Sequence, residues 1–210
     1  MWWVKGRTYG GVAPEQRRAE RRGRLLDAAL DRFTSAGFQQ TKITQLCTAA
    51  GVSTRNFYEE FDGKEELLLA LHARINERAL ARVQDTLDAL DGVDVLTRIG
   101  TLLDAFVETV TADRRLPRLN YVEAVGVSPE LEAQHQVWVA RWAEFIEHEA
   151  RRAAEQGLAP ARDYHLTAIA LVGAATGLLR EWQAYDPPLE VAAIAKEIRA
   201  LMLAAITRPA

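Results

Sequence analysis

The sequence predicts an all-α protein of about nine helices, and three observations lead to that prediction. Apolar residues recur at spacings of three and four in the long segments, which is the period of an amphipathic helix. No segment of useful length alternates polar and apolar residues as a half-buried strand does. Glycine and proline fall between the periodic segments, where helices begin and end. We expect a basic arm (1–13), a first domain (14–63) and a second domain (64–210).

The first helix is predicted from Pro14 to about Ala36, because proline suits a first helical turn and Gly37 suits a helix end. Its first half is rich in arginine and is expected near phosphates, whereas its leucine-rich second half is expected in a core. Residues 1–13 show no apolar period and include Arg7 and Tyr9. They are interpreted as a flexible arm that can enter a minor groove, or equally as a leader with no role.

A helix, a tight turn and a second short helix are predicted within residues 41–69. Gly51 interrupts the first helical period, and Ser53 can cap the helix that begins at Thr54. Phe57 and Phe61 fall on its inner side, so that its polar side chains face outward, as in a helix that reads a DNA major groove. With the arm and the flanking helices included, the expected DNA-binding residues are Thr44, Thr54, Arg55, Asn56, Tyr58, Lys64, Arg7 and Tyr9.

The pattern is carried at fixed spacing by Thr41, Ile43, Ala49, Ala50, Gly51, Val52, Ser53, Phe57, Tyr58, Phe61, Lys64, Glu65 and Leu67. At these positions the sequence resembles the tetracycline-repressor (TetR) family of bacterial transcription regulators. The resemblance is sharp over roughly residues 20–70 and architectural beyond them. It implies a homodimer that binds double-stranded DNA at an inverted-repeat operator and that responds to a small-molecule effector.

Two glutamates depart from the family pattern. Glu59 and Glu60 stand where the family often has His or Tyr side chains that help to hold phosphate, and carboxylates repel phosphate. Three interpretations follow: the helix docks at a different tilt, Glu59 orients Arg55 one turn earlier, or a glutamate accepts from a cytosine amino group.

Gly63 also departs from the family, which prefers a serine cap at that position. Asp62, with an acid three residues later, is expected to cap the next helix instead. That helix is predicted from Lys64 to about Leu90, where an Asp-Gly pair breaks it. The remaining segments are an apolar-periodic helix around residues 96–110, a short segment around 116–125, and helices over about 129–156, 163–185 and 188–207.

The resemblance implies a small-molecule pocket among the helices between Lys64 and Gly157. Apolar and aromatic walls with one or two polar groups favour a moderately lipophilic ligand, although an aromatic stripe at helical spacing is also typical of an ordinary core. The expected ligand-binding residues are Leu71, Ile75, Leu103, Phe106, Tyr121, His135, Trp138 and Trp142.

The last two helices are unusually apolar, and the first of them carries a stripe of small residues that lets another helix approach closely. A two-fold four-helix interface between two chains would cover both helices, and the resemblance implies the same dimer; the alternative is a core within one chain. The expected interface residues are Ala170, Gly173, Ala174, Gly177, Ile194, Ile198 and Leu201.

The charge is divided unevenly along the chain. Residues 1–64 hold eleven Lys/Arg against seven Asp/Glu, and the remainder holds fifteen against twenty-two, although the whole chain has a net charge of −3. The positive part contains the DNA-binding pattern. One cysteine, no visible secretory signal and no apolar run of ~20 residues lead us to expect a soluble, cytoplasmic protein that does not span a membrane.

No enzyme signature is found in the sequence. His148 and Glu149 are followed by Arg152 where a zinc helix would have its second histidine, and the glycines form no phosphate loop. We therefore expect no enzymatic activity, no metal and no cofactor. The alternatives to a ligand-responsive repressor are a regulator that is constitutive or controlled by a partner, a dimeric interaction module without DNA binding, and an enzyme or carrier that uses the same cavity.

Overall fold

The computed structural model describes residues 13–186 and 189–208, and the predicted arm with Arg7 and Tyr9 lies outside them. Within these residues the chain forms nine α-helices, one π-helical turn and no strand, so the all-α prediction is confirmed. The elements are α1 (Pro14–Ala36), α2 (Ile43–Ala50), α3 (Thr54–Tyr58), α4 (Lys64–Asp88), α5 (Val95–Thr111), α6 (Arg115–Arg118), a π-helical turn (Leu119–Glu123), α7 (Pro129–Glu155), α8 (His165–Ala184) and α9 (Val191–Thr207).

Local sequence accounts for several helix ends. The Ser53 hydroxyl accepts a hydrogen bond from the Asn56 N–H at 3.1 Å, and the Ser128 hydroxyl caps α7 in the same way. Gly51 has φ 64°, a left-handed conformation that glycine adopts without steric cost, and this lets α2 turn into α3. Asp62 does not cap α4 as expected: its N–H donates to the carboxylate of Glu66 instead, and no side chain caps the Gly63 end.

One hydrophobic core joins α1, α2 and α3 to the first half of α4. The buried side chains of Phe57 and Phe61 anchor α3 in this core, and burial of each such ring contributes about 1.5–3 kcal/mol. This core extends past residue 64, where the sequence placed a domain boundary, and also receives residues from the π-helical turn and α7. Its buried members include Leu25, Leu26, Ala29, Leu30, Phe33, Leu46, Cys47, Phe57, Phe61, Leu67, Leu68, Leu71, Ile75, Leu119 and Leu131.

The helices from α4 to α9 form a second layer with two further hydrophobic clusters. Helix α4 packs on α1, α5 and α7, so a single rigid element touches both the first core and the second layer. Inside the second layer, Arg98 on α5 donates from Nε to Glu149 on α7 at 2.9 Å, and both side chains are buried. None of the helices over 13–186 and 189–208 is long and apolar enough to cross a membrane.

Candidate nucleic-acid interface and internal cavity

Helix α3 presents its polar side chains to solvent. Thr54, Arg55 and Tyr58 are exposed, with Tyr58 at 54%, and Asn56 is half-buried. The helix can hold this orientation because Phe57 is fully buried and its ring meets that of Phe61 at 5.9 Å between centroids. The outward row therefore has the shape and chemistry of a groove-reading surface, and its contact with DNA stays a prediction.

The two flanking residues predicted to touch the DNA backbone differ in their surroundings. Thr44 on α2 is exposed. Lys64 instead directs its ammonium into the loop between α1 and α2, where Nζ donates to the carbonyls of Phe38, Gln39 and Thr41 at 2.9, 3.2 and 3.2 Å. An ammonium has three N–H donors, so in this conformation Lys64 has none left for a phosphate. We assign Lys64 to the support of the loop.

Glu60 points into the protein and away from the surface that carries α3. Its side chain has no exposed area, and its carboxylate accepts from Arg18 Nε at 3.1 Å and from Arg21 Nη2 at 2.7 Å. Arg22 donates to the Glu60 backbone carbonyl at 3.1 Å. Burial acts to raise the pKa of Glu60, but the hydrogen bonds and charges of Arg21 and Arg18 outweigh it and lower that pKa below its ordinary value. Glu60 is thus an internal anchor between α1 and the end of α3.

Glu59 belongs to the exposed face and pairs with Arg55. The Arg55 Nε lies 3.3 Å from a Glu59 carboxylate oxygen, one helical turn apart, and both side chains are exposed. This geometry agrees with the interpretation in which Glu59 orients Arg55. Of the arginines at the start of α1, Arg18 and Arg21 have part of their charge balanced by Glu60, which the sequence did not indicate.

An internal cavity lies among α4, α5, α7, α8 and α9. Its volume is about 80 Å³. Six of the eight expected ligand-binding residues line it: Leu103, Phe106, Tyr121, His135, Trp138 and Trp142. The lining residues that sequence reasoning missed are His72, Asn76, Val83, Ile99, Leu102, Val139, Phe145, Ile146, Glu149, Leu171, Val172, Ala175, Thr176, Met202 and Ile206.

Leu71 and Ile75 are the two expected wall residues that do not reach the cavity. Both are buried in the first core, where α4 packs against α1. The residues that follow them in the chain, His72 and Asn76, line the cavity instead. The reason is geometric: a step of one residue turns the side chain by about 100°, and α4 has one face on each core.

The cavity contains a small number of polar groups in an apolar wall. Gln134 Nε2 lies 2.8 Å from His72 Nδ1 and donates to the Leu69 carbonyl at 3.0 Å. Burial, with a smaller contribution from His135, lowers the pKa of His72 to about 4. Burial also raises the pKa of the Tyr121 hydroxyl to about 12. At neutral pH both His72 and Tyr121 are therefore uncharged.

The expected dimer residues fall into two groups. Ala170, Gly173, Gly177 and Leu201 are exposed and Ala174 is half-buried, so all five are near the surface formed by α8 and α9. Ile194 and Ile198 are 6% and 3% exposed and belong to a core cluster, so the chain by itself already buries these two expected interface residues. An apolar helical period marks a buried face, and here the chain itself buries it.

Among residues 13–186 and 189–208, no three His, Cys, Asp or Glu side chains lie close enough together to hold a metal ion. The two histidines of the cavity, His72 and His135, have ring centroids 6.3 Å apart. Structural zinc sites use four protein ligands and catalytic ones three, so this pair alone does not make such a site.

Comparison with known proteins places these features in context. Residues 25–71, which contain α2 and α3, match the family described as "Bacterial regulatory proteins, tetR family". The transcriptional regulator UidR of Escherichia coli strain K12 is 26% identical over 190 residues, which is 86% of this chain and 90% of UidR. That match extends well beyond the helix-turn-helix.

Solved structures share the fold at lower identity. The fatty acid degradation regulator FadR from Bacillus halodurans has a TM-score of 0.79 at 19% identity, covering 92% of this chain and 96% of that one. FadR from Bacillus subtilis, solved in complex with stearoyl-CoA, has a TM-score of 0.75 at 15% identity, covering 87% and 98%. These two similarities concern the architecture of the whole chain, including the helices that surround the cavity.

Proposed function

Because the chain belongs to the TetR family of DNA-binding transcriptional regulators, which are not enzymes, we propose that it is a homodimeric repressor released from DNA by a small lipophilic effector. It would bind an inverted-repeat operator in the bacterial cytoplasm, where the chromosome lies. The observation that carries the proposal is the exposed polar row of α3, which stands on two buried phenylalanines.

The reading surface consists of Thr54, Arg55, Asn56 and Tyr58, with Thr44 on the adjacent helix. Arginine suits the acceptors of guanine and asparagine suits adenine, whereas threonine and tyrosine can reach phosphates or a thymine methyl. The inward orientation of Glu60 removes one of the two carboxylates that would have repelled phosphate. The predicted contribution of Arg7 and Tyr9 in the minor groove concerns residues outside the described ones.

A dimer is supported by the apolar outer face of α8 and α9. Leu166, Ile169 and Leu201 on these two helices are 78%, 39% and 41% exposed. Exposed apolar side chains that form one patch mark a protein–protein contact. A Cβ added at Gly173 or Gly177 would meet no other atom within 4 Å, so the small-residue stripe is open to a second helix. Two chains related by a two-fold axis would make a four-helix interface and set the spacing of the two half-sites.

Helix α4 supplies the route from the cavity to the DNA module. Leu67 and Leu68 lie in the first core, and His72 and Asn76 line the cavity one to two turns later. Gln134 on α7 holds α4 by its bonds to Leu69 and His72. An effector that moves α7 would therefore move the helix on which the DNA module is mounted, and two recognition helices in the dimer would change their separation.

The effector can release DNA only through its preference for the released state, at about 1.4 kcal/mol for each tenfold loss of operator affinity. The fold neighbour from Bacillus subtilis binds stearoyl-CoA, which supports the use of this helical domain for a lipophilic molecule.

The test is DNA retardation on the region upstream of the protein's own gene, across a salt series, with unrelated duplex as competitor. We expect specific retardation that survives competitor and weakens with salt. Arg55→Ala and Tyr58→Ala should each weaken operator binding, by about 1–3 kcal/mol if the side chain contacts a base, with dimerisation unchanged by sedimentation. Arg78→Ala, which removes an exposed arginine on α4 outside the helix-turn-helix, is the matched control. Unchanged operator binding in both variants contradicts the assignment of α3.

A further inference from the structure

The cavity has no charge available to pair with a ligand, and we propose that the effector is an uncharged lipophilic molecule that carries at least one acceptor oxygen. This inference rests on the proposed function and narrows its effector. The described residues that line the cavity include no lysine, arginine or aspartate, and Glu149 is the one carboxylate among them. The other ionisable side chains of the wall are His72, His135 and Tyr121.

The charge of Glu149 is already balanced inside the protein. Arg98 Nε donates to one carboxylate oxygen at 2.9 Å and Arg98 Nη2 to the other at 3.4 Å. The two side chains are 7% and 3% exposed, so neither can be hydrated if a ligand pairs with the other. A cationic ligand that paired with Glu149 would leave Arg98 buried without its partner, and an anionic ligand that paired with Arg98 would strand Glu149.

His72 offers a donor and no positive charge. The Leu69 carbonyl can only accept a hydrogen bond, so it fixes the Gln134 amide with its nitrogen toward Leu69, and the same nitrogen then donates to His72 Nδ1. Nδ1 is therefore an acceptor, and the ring proton is on Nε2. Burial of the ring also favours the neutral form, since it lowers the pKa of His72 to about 4.

Tyr121 is a second neutral donor in the wall. Its hydroxyl is protonated at pH 7.5, as that of any tyrosine is, and burial raises its pKa further, to about 12. Two neutral donors match a hydroxyl, ether or carbonyl oxygen on a ligand, whereas a carboxylate or an ammonium would lose its hydration without meeting an opposite charge. Aromatic side chains supply the rest of the wall, where Phe106 and Trp142 meet edge to face at 5.0 Å.

The experiment compares probes that differ only in charge. The first set is 2-naphthylmethanol, 2-naphthoate and 2-naphthylmethylammonium, and the second is 1-octanol, octanoate and octylammonium. Binding to the full-length protein is measured by calorimetry at pH 7.5. We expect at least one of the two alcohols to bind, and to bind at least tenfold more tightly than both of its charged counterparts. A charged probe that binds as tightly as its alcohol, or failure of both alcohols to bind, overturns the proposal.

A variant tests whether the absence of a cationic side chain in the cavity causes the weak binding of a carboxylate. Thr176 lines the cavity and is half-buried. Thr176→Lys should raise the affinity for 2-naphthoate at least tenfold, and Thr176→Gln, which adds length without charge, should not. If Thr176→Lys folds by circular dichroism and still rejects the carboxylate, the charge argument is overturned. If it does not fold, the probe sets on the unmodified chain decide.

Operator retardation in the presence of each probe separates this inference from the proposed function. An alcohol that binds without releasing the operator contradicts its effector role and leaves the charge preference intact. A charged probe that binds as tightly as its alcohol and releases the operator overturns the charge preference and supports the proposed function.

Discussion

Substitution of Glu60 by glutamine tests the interpretation of the two glutamates beside α3. The change keeps the shape of the side chain and removes its charge. In the structure the Glu60 carboxylate, two residues after the end of α3, accepts hydrogen bonds from Arg18 and Arg21, both on α1. We expect Glu60→Gln to lower stability and to weaken operator binding, because α3 loses part of its attachment to α1.

The magnitude follows from the contacts that are lost. Arg21 donates to Glu60 from Nε at 3.2 Å and from Nη2 at 2.7 Å, and Arg18 donates at 3.1 Å. The Arg18 side chain is 64% exposed and can be hydrated instead, and glutamine keeps one acceptor oxygen for Arg21. The net loss is therefore about one charged hydrogen bond, that of Arg21, and the free energy of unfolding should fall by about 1.5–3 kcal/mol.

The assay is urea unfolding followed by circular dichroism at 222 nm, with Glu59→Gln as the matched control. Glu59 is exposed, pairs with Arg55 and lies 3.8 Å from Arg21, and solvent screens such pairs, so its replacement should change stability by less than about 1 kcal/mol. The folded pKa of Glu60 is lowered from its ordinary value of 4.5. Its stabilising effect is therefore complete above pH 4.5 and is lost as pH falls through the folded pKa, so the gap between wild type and Glu60→Gln should close there.

The opposite outcome has a clear signature. If Glu60 faced phosphate, glutamine would remove a repulsion, operator binding would become tighter and unfolding would be unaffected. A Glu60→Gln protein that equals Glu59→Gln in stability and binds DNA more tightly than wild type would refute the internal-anchor interpretation.

Three further changes are predicted from single sites. Lys64→Met should lower the free energy of unfolding by about 1–3 kcal/mol in urea melts, because three loop carbonyls lose their donor. An unchanged melt would contradict the loop-support role and favour the predicted contact of Lys64 with the DNA backbone. Arg98→Met should cost about 3–5 kcal/mol by thermal unfolding, since Glu149 is left buried and unpaired, and a cost below 1 kcal/mol would contradict that burial. Gly173→Glu should weaken dimerisation at least a hundredfold by sedimentation with the helical content unchanged, and an unaltered dimer would move the interface elsewhere.

Local sequence was sufficient for the elements and for the exposed face of α3. A Ser cap, a left-handed Gly51 and two inward phenylalanines act within a few residues of one another, so their pattern in the chain is also their pattern in space. For the same reason Pro14–Ala36 was predicted at the bounds that α1 has in the structure. The six aromatic and apolar residues that do line the cavity were likewise marked by helical spacing.

The sequence by itself therefore determined the helices, several of their ends and which of their faces are apolar. Tertiary structure alone decided what covers each face. Leu71 and His72 are neighbours in the chain, but Leu71 is buried in the first core and His72 lines the cavity. Ile194 is buried by other residues of its own chain. Tertiary structure also decided that Glu60 meets arginines 39 and 42 residues away and that Lys64 turns inward. The physical reason is that helical periodicity depends on near neighbours, whereas the partner of a buried or charged group depends on how distant helices pack.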